Sequence, residues 1–291
     1  MTKNTLKILF PFLCLLLSLL FPKACMEGVE KGLDLALYSA FPALFPALVL
    51  SGVLSRIIGA KSKKSALLTP FFLGLVCGFP IGAKTVCSLL KERKVSPKKA
   101  SLLLPFISGA SPSFLISFCG ITLFSDAKKG LVLYLLQSAF FLISFLIFFG
   151  KDLFKKEEKS LSSKDSPPFK FIIPKALSEG MSAFLYISSC IVFFSFLSSL
   201  CLSLFSLSPV LQSLLSLFLE LTGGVKSLVF LPKNLIFPLC ALGVGWNGFS
   251  VHLQTLGLIS EEGISPKPYL FGKAVFALLF FLSALFLQKL L

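Results

Sequence analysis

Four polar patches interrupt apolar stretches of this chain, and their residue types suit the holding and moving of a small charged solute. The first is Gly78-Phe79-Pro80-Ile81-Gly82-Ala83-Lys84 and the second Ser108-Gly109-Ala110-Ser111-Pro112-Ser113. The third is Glu220-Leu221-Thr222-Gly223-Gly224, and the fourth runs from Asn247 to Gln254. Glycine and proline break a helix, and a broken helix presents free N–H groups and a partial positive charge worth about 0.3–2 kcal/mol per end to an anion. Lys84 adds a full charge. The candidate substrate-binding residues are Gly78, Pro80, Gly82, Lys84, Ser111, Ser113, Glu220, Thr222, Asn247, Ser250, His252 and Gln254. Glu220 and His252 are of the types that carry a coupling proton inside a membrane.

Each of these has a plainer reading. Lys84 lies seven residues before Lys91 and could reach the basic surface there. Glu220 could be solvated at the outer surface, whereas at depth it could carry a proton or pair with Lys84 across the repeat interface. A lone histidine is often a hydrogen-bonded core residue, and Ser108, Ser111 and Ser113 could serve close helix packing.

Enzyme chemistry finds little to work with. One histidine and few buried acids supply no Ser-His-Asp set, no HExxH and no paired aspartates. The eight cysteines form no CxxC and lie mostly in apolar runs, as small hydrophobes do. No metal or cofactor is expected, and the chain is not read as an enzyme.

The elements that must position these patches are membrane helices. The chain has 291 residues, 55% of them hydrophobic, with mean hydropathy +0.91. Soluble domains do not reach such values. The net charge of +15 falls in short connections between apolar runs, which indicates positive-inside topology and anionic lipid rather than nucleic acid. The lipid bilayer is therefore a partner, nucleic acid is not, and an oligomer is compatible with the pattern. The 34 phenylalanines are expected on lipid-facing surface.

In chain order, residues 1–30 read as an uncleaved first membrane helix and its connection, since Pro22-Lys23-Ala24-Cys25 makes a poor cleavage or lipid-attachment site. Leu33 to Ile58 reads as a span kinked by Pro42 and Pro46. Basic clusters at 56–64 and 91–99 flank residues 66–90, so that stretch enters and leaves on one side as a re-entrant hairpin. Ser101 to Phe124 is a span with a polar break, and Leu131 to Phe149 is uninterrupted. Residues 151–174 are a hydrophilic cytoplasmic linker. Beyond it come a long run from Met181, a second hairpin at 210–230, a broken span at 235–257 and a clean span at 269–287.

The halves resemble one another. Residues 96–117 overlay 231–252 without a gap, so that Pro97 meets Pro232, Lys98 meets Lys233 and Phe114 meets Phe249. Two repeats are expected, 31–150 and 175–291. With each hairpin counted as no crossing, the second is inverted relative to the first. That topology puts 20 Lys and Arg in cytoplasmic segments against 6 outside. The expected fold is an all-α polytopic membrane protein, an inverted-topology repeat with re-entrant hairpins and broken helices, which is secondary-transporter architecture.

Four of these motifs, in order, resemble those of the YlbJ/SpoVV family of sporulation integral membrane proteins, relatives of nucleoside-transporter-like Gate-domain proteins. Gly78-Phe79-Pro80-Ile81-Gly82-Ala83-Lys84 is similar to the family's G-aromatic-P-x-G-A-K, and Ser111-Pro112-Ser113-Phe114 to its S-P-x-F. Leu219-Glu220-Leu221-Thr222 with Gly224 is similar to L-E-x-T-x-G, and Gly248-Phe249-Ser250-Val251-His252 with Gln254 to G-x-S-V-H-x-Q. Where the family often has Asn before S-P-x-F, this chain has Ser108-Gly109-Ala110. The resemblance covers most of residues 30–290. It implies movement of dipicolinate, a small aromatic dianion, across the mother-cell-derived outer forespore membrane. The competing reading is a membrane scaffold for spore envelope maturation with no transport pathway of its own.

Overall fold

The computed structural model describes residues 3–58, 63–154, 169–260 and 262–291, and among these every regular element is helical. Four helical stretches are long and apolar enough to cross a bilayer: 127–154, 170–204, 233–259 and 267–287. The chain is an all-α integral membrane protein of the multi-pass type.

The first half opens with α1 (Lys3–Leu20), which turns through 106° at Phe21 into α2 (Pro22–Asp34). The expected connection after the first helix is thus itself helical. Pro22 occupies the first helical position, where its missing N–H costs nothing. From Pro22 the helix continues through a π-helical turn at Leu35–Ala40 into α3 (Phe41–Ile58). The wide turn has a cause: the Pro42 ring collides with the Tyr38 carbonyl in ordinary α geometry. Phe41 N–H accordingly bonds Ala36 O, five residues back.

The expected hairpin forms from α4 (Lys63–Cys77) and α5 (Ile81–Lys91). Its break is shorter than the seven-residue motif: Gly78 lies at φ +78°, Phe79–Pro80 is a cis peptide, and Gly82 to Lys84 are already helical. α6 (Pro97–Ile107) begins at the cap Ser96 and stops at Ser108. Residues 108–111 are irregular, and a second π-helical segment follows at Ser113–Leu123. α7 (Ala127–Phe154) is the long span.

In the second half, α8 (Phe169–Leu204) continues through Pro174, which is exposed near the helix start, so this helix begins within the segment expected to be a linker. Residues 151–154 and 169–174 of the expected linker are helical, and 155–168 lie outside the described residues. α9 (Pro209–Leu219) and α10 (Leu221–Ser227) form a second hairpin broken at the single residue Glu220. α11 (Lys233–Trp246) and α12 (Gly248–Ile259) are separated at Asn247, with φ +76°, and α13 (Lys267–Leu287) closes the chain.

The two long helices that open the halves, the composite α2–α3 and α8, lie antiparallel. Arg56 Nη2 meets Glu179 Oε1 at 2.6 Å at one end. At the other, a Cβ on Gly28 would fall 2.8 Å from Ser199 Cβ, and one on Gly32 2.6 Å from Val192 Cα. Small residues let the backbones approach in this way. Ion pairs Lys91–Glu262 (2.9 Å) and Lys99–Asp152 (2.7 Å) tie the charged ends of other helices together.

The phenylalanines divide, against the expectation of lipid exposure alone. Phe71 stacks on Phe145 at 4.2 Å, and Phe141, Phe276 and Phe280 join the same interior cluster. Phe72, Phe148 and Phe286 remain on the outer surface.

Candidate functional site

The breaks meet in pairs. Gly78, at the tip of the first hairpin, packs on Ser111: a Cβ there would lie 2.7 Å from Ser111 N, and Phe79 N–H bonds Gly109 O at 2.7 Å. In the second half a Cβ on Gly248 would lie 3.0 Å from Leu221 N, beside Glu220. The left-handed conformations of Gly78 and Gly248 and these close approaches both require glycine. The two halves are then joined where their helices break, since Asn247 Nδ2 donates to Ser108 O at 2.6 Å.

A cavity of about 530 Å³ opens beside these breaks. Of the residues anticipated from sequence, Ser111, Ser113, Glu220, Thr222 and Gln254 line it. Phe79, Phe114 and Phe118 supply aromatic wall, and Ser117 and Thr122 further hydroxyls. Both π-helical segments border it, through Tyr38, Ser39 and Ala40 on one side and Ser113 to Thr122 on the other. Such widened turns recur at functional sites.

The remaining anticipated residues stand behind the wall. Gly78, Pro80 and Gly82 shape the hairpin tip, and a Cβ on Gly82 would lie 2.1 Å from Ile107 O. Lys84 does not line the cavity. Its Nζ lies 3.6 Å from Glu179 Oε2, beside the Arg56–Glu179 pair, so it joins α5 to the two long helices. Ser250 accepts a long 3.4 Å bond from Gln254 Nε2. His252 is buried, its Nδ1 3.0 Å from Tyr269 Oη, which donates to Thr255 Oγ1 at 3.2 Å. The Trp246 ring lies edge-on 4.4 Å from the imidazole.

Glu220 is neither solvated at the surface nor paired with Lys84. It is buried, and its carboxylate caps α10, accepting Thr222 N–H at Oε1 (2.9 Å) and Gly223 N–H at Oε2. An acid at a helix N-terminus is electrostatically at home. The positive end of α10 is therefore occupied by the chain's own carboxylate.

Two lysines escaped the sequence reading. Lys226 lines the cavity one helical turn after Thr222, and among the described residues no carboxylate pairs with it. The spacing of Thr222 and Lys226, four apart, would have put them on one face. Lys273 lies within the apolar run read as a clean last span, yet it is wholly buried and donates to Ser108 O. A charge inside an apolar span is itself the signal. Four buried polar atoms near the breaks, Ser108 Oγ, Asn247 Oδ1, His252 Nε2 and Gln254 Oε1, have no partner among the described residues, which is uncommon away from binding sites. Among the described residues no cluster of His, Cys, Asp or Glu could hold a metal.

No family model and no solved structure matches the chain. It spans 59% of the length of the curated relative it matches. That relative is the sporulation integral membrane protein YlbJ of Bacillus subtilis (strain 168), to which the chain is similar at 26% identity over 250 residues, taking in 69% of this chain.

Proposed function

We propose that this chain is a membrane transporter of a small organic anion, with its binding site in the cavity between the two hairpin tips. The observation that carries the reading is the pairing of an uncompensated Lys226 with an aromatic and hydroxyl-rich wall. Glu220 is already engaged by α10, and among the described residues no carboxylate pairs with Lys226, so a solute entering the cavity meets its charge. Phe79, Phe114 and Phe118 offer faces to a flat ring, and Ser113, Ser117 and Thr122 offer donors to carboxylate oxygens. Dipicolinate fits this chemistry. Its movement across the outer forespore membrane is the substrate and setting we propose, in keeping with the resemblance to YlbJ. The repeated element order and the antiparallel long helices support two inverted repeats, 31–150 and 175–291, rocking about the cavity. A coupling proton or cation is part of the proposal.

Uptake of radiolabelled dipicolinate into liposomes holding the purified protein tests this reading. Uptake well above empty vesicles is expected, with a loss of about tenfold or more in Lys226→Met, the equivalent of one charge-assisted hydrogen bond. Uptake equal to empty vesicles, in a chain that still supports spore maturation when Lys226 is replaced, would favour the scaffold instead.

A further inference from the structure

Lys273 is a lysine in the interior of a membrane protein, its Nζ held by a backbone carbonyl where an acidic partner would be expected. It is 0% exposed and projects from α13. Its ammonium donates to Ser108 O and lies 5.2 Å from the centre of the Phe141 ring. Among the described residues no carboxylate pairs with it. The titratable groups on neighbouring turns are His252 and Tyr269, which bond each other.

The carbonyl it holds is a particular one. Ser108 is the residue at which α6 stops, at φ −112° and ψ 48°, and the carbonyl end of a helix carries partial negative charge. Asn247, from the break between α11 and α12, donates to the same oxygen at 2.6 Å. Both donors come from the second half and the acceptor from the first. Three residues beyond Ser108, on the same irregular segment, Ser111 forms part of the cavity wall.

We infer that Lys273 is a latch between the halves that an anionic solute releases. A carboxylate reaching the broken segment is a better partner for the ammonium than a neutral carbonyl, because charge-assisted hydrogen bonds are about twice as strong. When it takes over Lys273, Ser108 loses one of its two cross-half donors, and the broken end of α6 is freed to move. Binding and movement are thereby linked through one side chain. Lys226 makes the first contact at the cavity and Lys273 the second, behind the wall. The inference rests on the transport reading above.

Hydrogen–deuterium exchange on the full chain in detergent, with and without saturating dipicolinate, reads the latch directly. In the unsubstituted protein, dipicolinate is expected to raise exchange in peptides covering 105–115. No change there at saturation overturns the inference and needs no variant. In Lys273→Met, exchange over 105–115 should be high without ligand and indifferent to it, with uptake down about tenfold or more and Lys273→Arg recovering part of both. A purely structural lysine would raise exchange yet leave the response to ligand intact, which counts against the latch. Wild-type uptake and a wild-type ligand response in Lys273→Met overturn it while transport stands. Absence of binding and uptake in the unsubstituted chain removes the transport reading itself, and the latch with it.

Discussion

Gln137 meets Ala110 with both ends of its side-chain amide: Oε1 accepts the Ala110 N–H and Nε2 donates to the Ala110 carbonyl, each at 2.8 Å. This is how an unwound segment survives in a membrane interior, where backbone groups must find protein partners. Gln137 thus clamps its own half's break, whereas Lys273 reaches across to Ser108 from the other half. Gln137→Leu would strand two buried backbone groups. It is expected to cost about 2–5 kcal/mol, read as a lowered unfolding temperature in detergent.

Glycine substitutions should separate packing from tolerance. Gly82→Ala would drive a Cβ to 2.1 Å from Ile107 O, whereas a Cβ on Gly150 meets nothing within 4 Å. The first should abolish a monodisperse peak in size-exclusion chromatography, and the second should leave it unchanged.

The two conspicuous lysines should behave differently in binding. Lys84 is committed to Glu179 at 3.6 Å, away from the cavity. Lys84→Met is expected to leave dipicolinate affinity within about threefold, whereas Lys226→Met weakens it about tenfold or more. Equal losses in calorimetric titration would return Lys84 to the site.

Membrane sidedness follows from the ion pairs. Lys91–Glu262 and Lys99–Asp152 gather the ends of α5, α6, α7 and α12 on one face. Single cysteines at Lys94 and Lys267 should react with an impermeant maleimide from the same side. Cysteines at Lys129 and Lys233 should react from the other. Lys94 and Lys267 labelling from opposite sides would break the hairpin topology.

The breaks were legible because glycine and proline act locally. Gly78 and Asn247 adopt left-handed backbone, and α6 stops at Ser108, within patches visible in the chain itself. Their extent was not legible, because Thr222 to Gly224 and Gly243 to Gly245 are poor helix formers that tertiary packing keeps helical. Nor was the form of the first π-helical turn: Pro42 signals a disturbed helix, but not that a wide turn absorbs the disturbance. Lys226 lies within the hairpin at 210–230, and its spacing from Thr222 fixes a shared face but not the cavity that this face lines. Glu220 was recognised as a deep acid, but its use as a helix cap depends on how the hairpin turns.

The close contact of Gly28 and Gly32 with α8 bears on motion. Backbones already this near cannot be drawn closer, and prying them apart would expose an unfilled groove. With the Arg56–Glu179 pair pinning the opposite end, the seam is held at both ends. Rocking of the kind proposed would have to tilt the flanks about this seam, which keeps its length and its alignment.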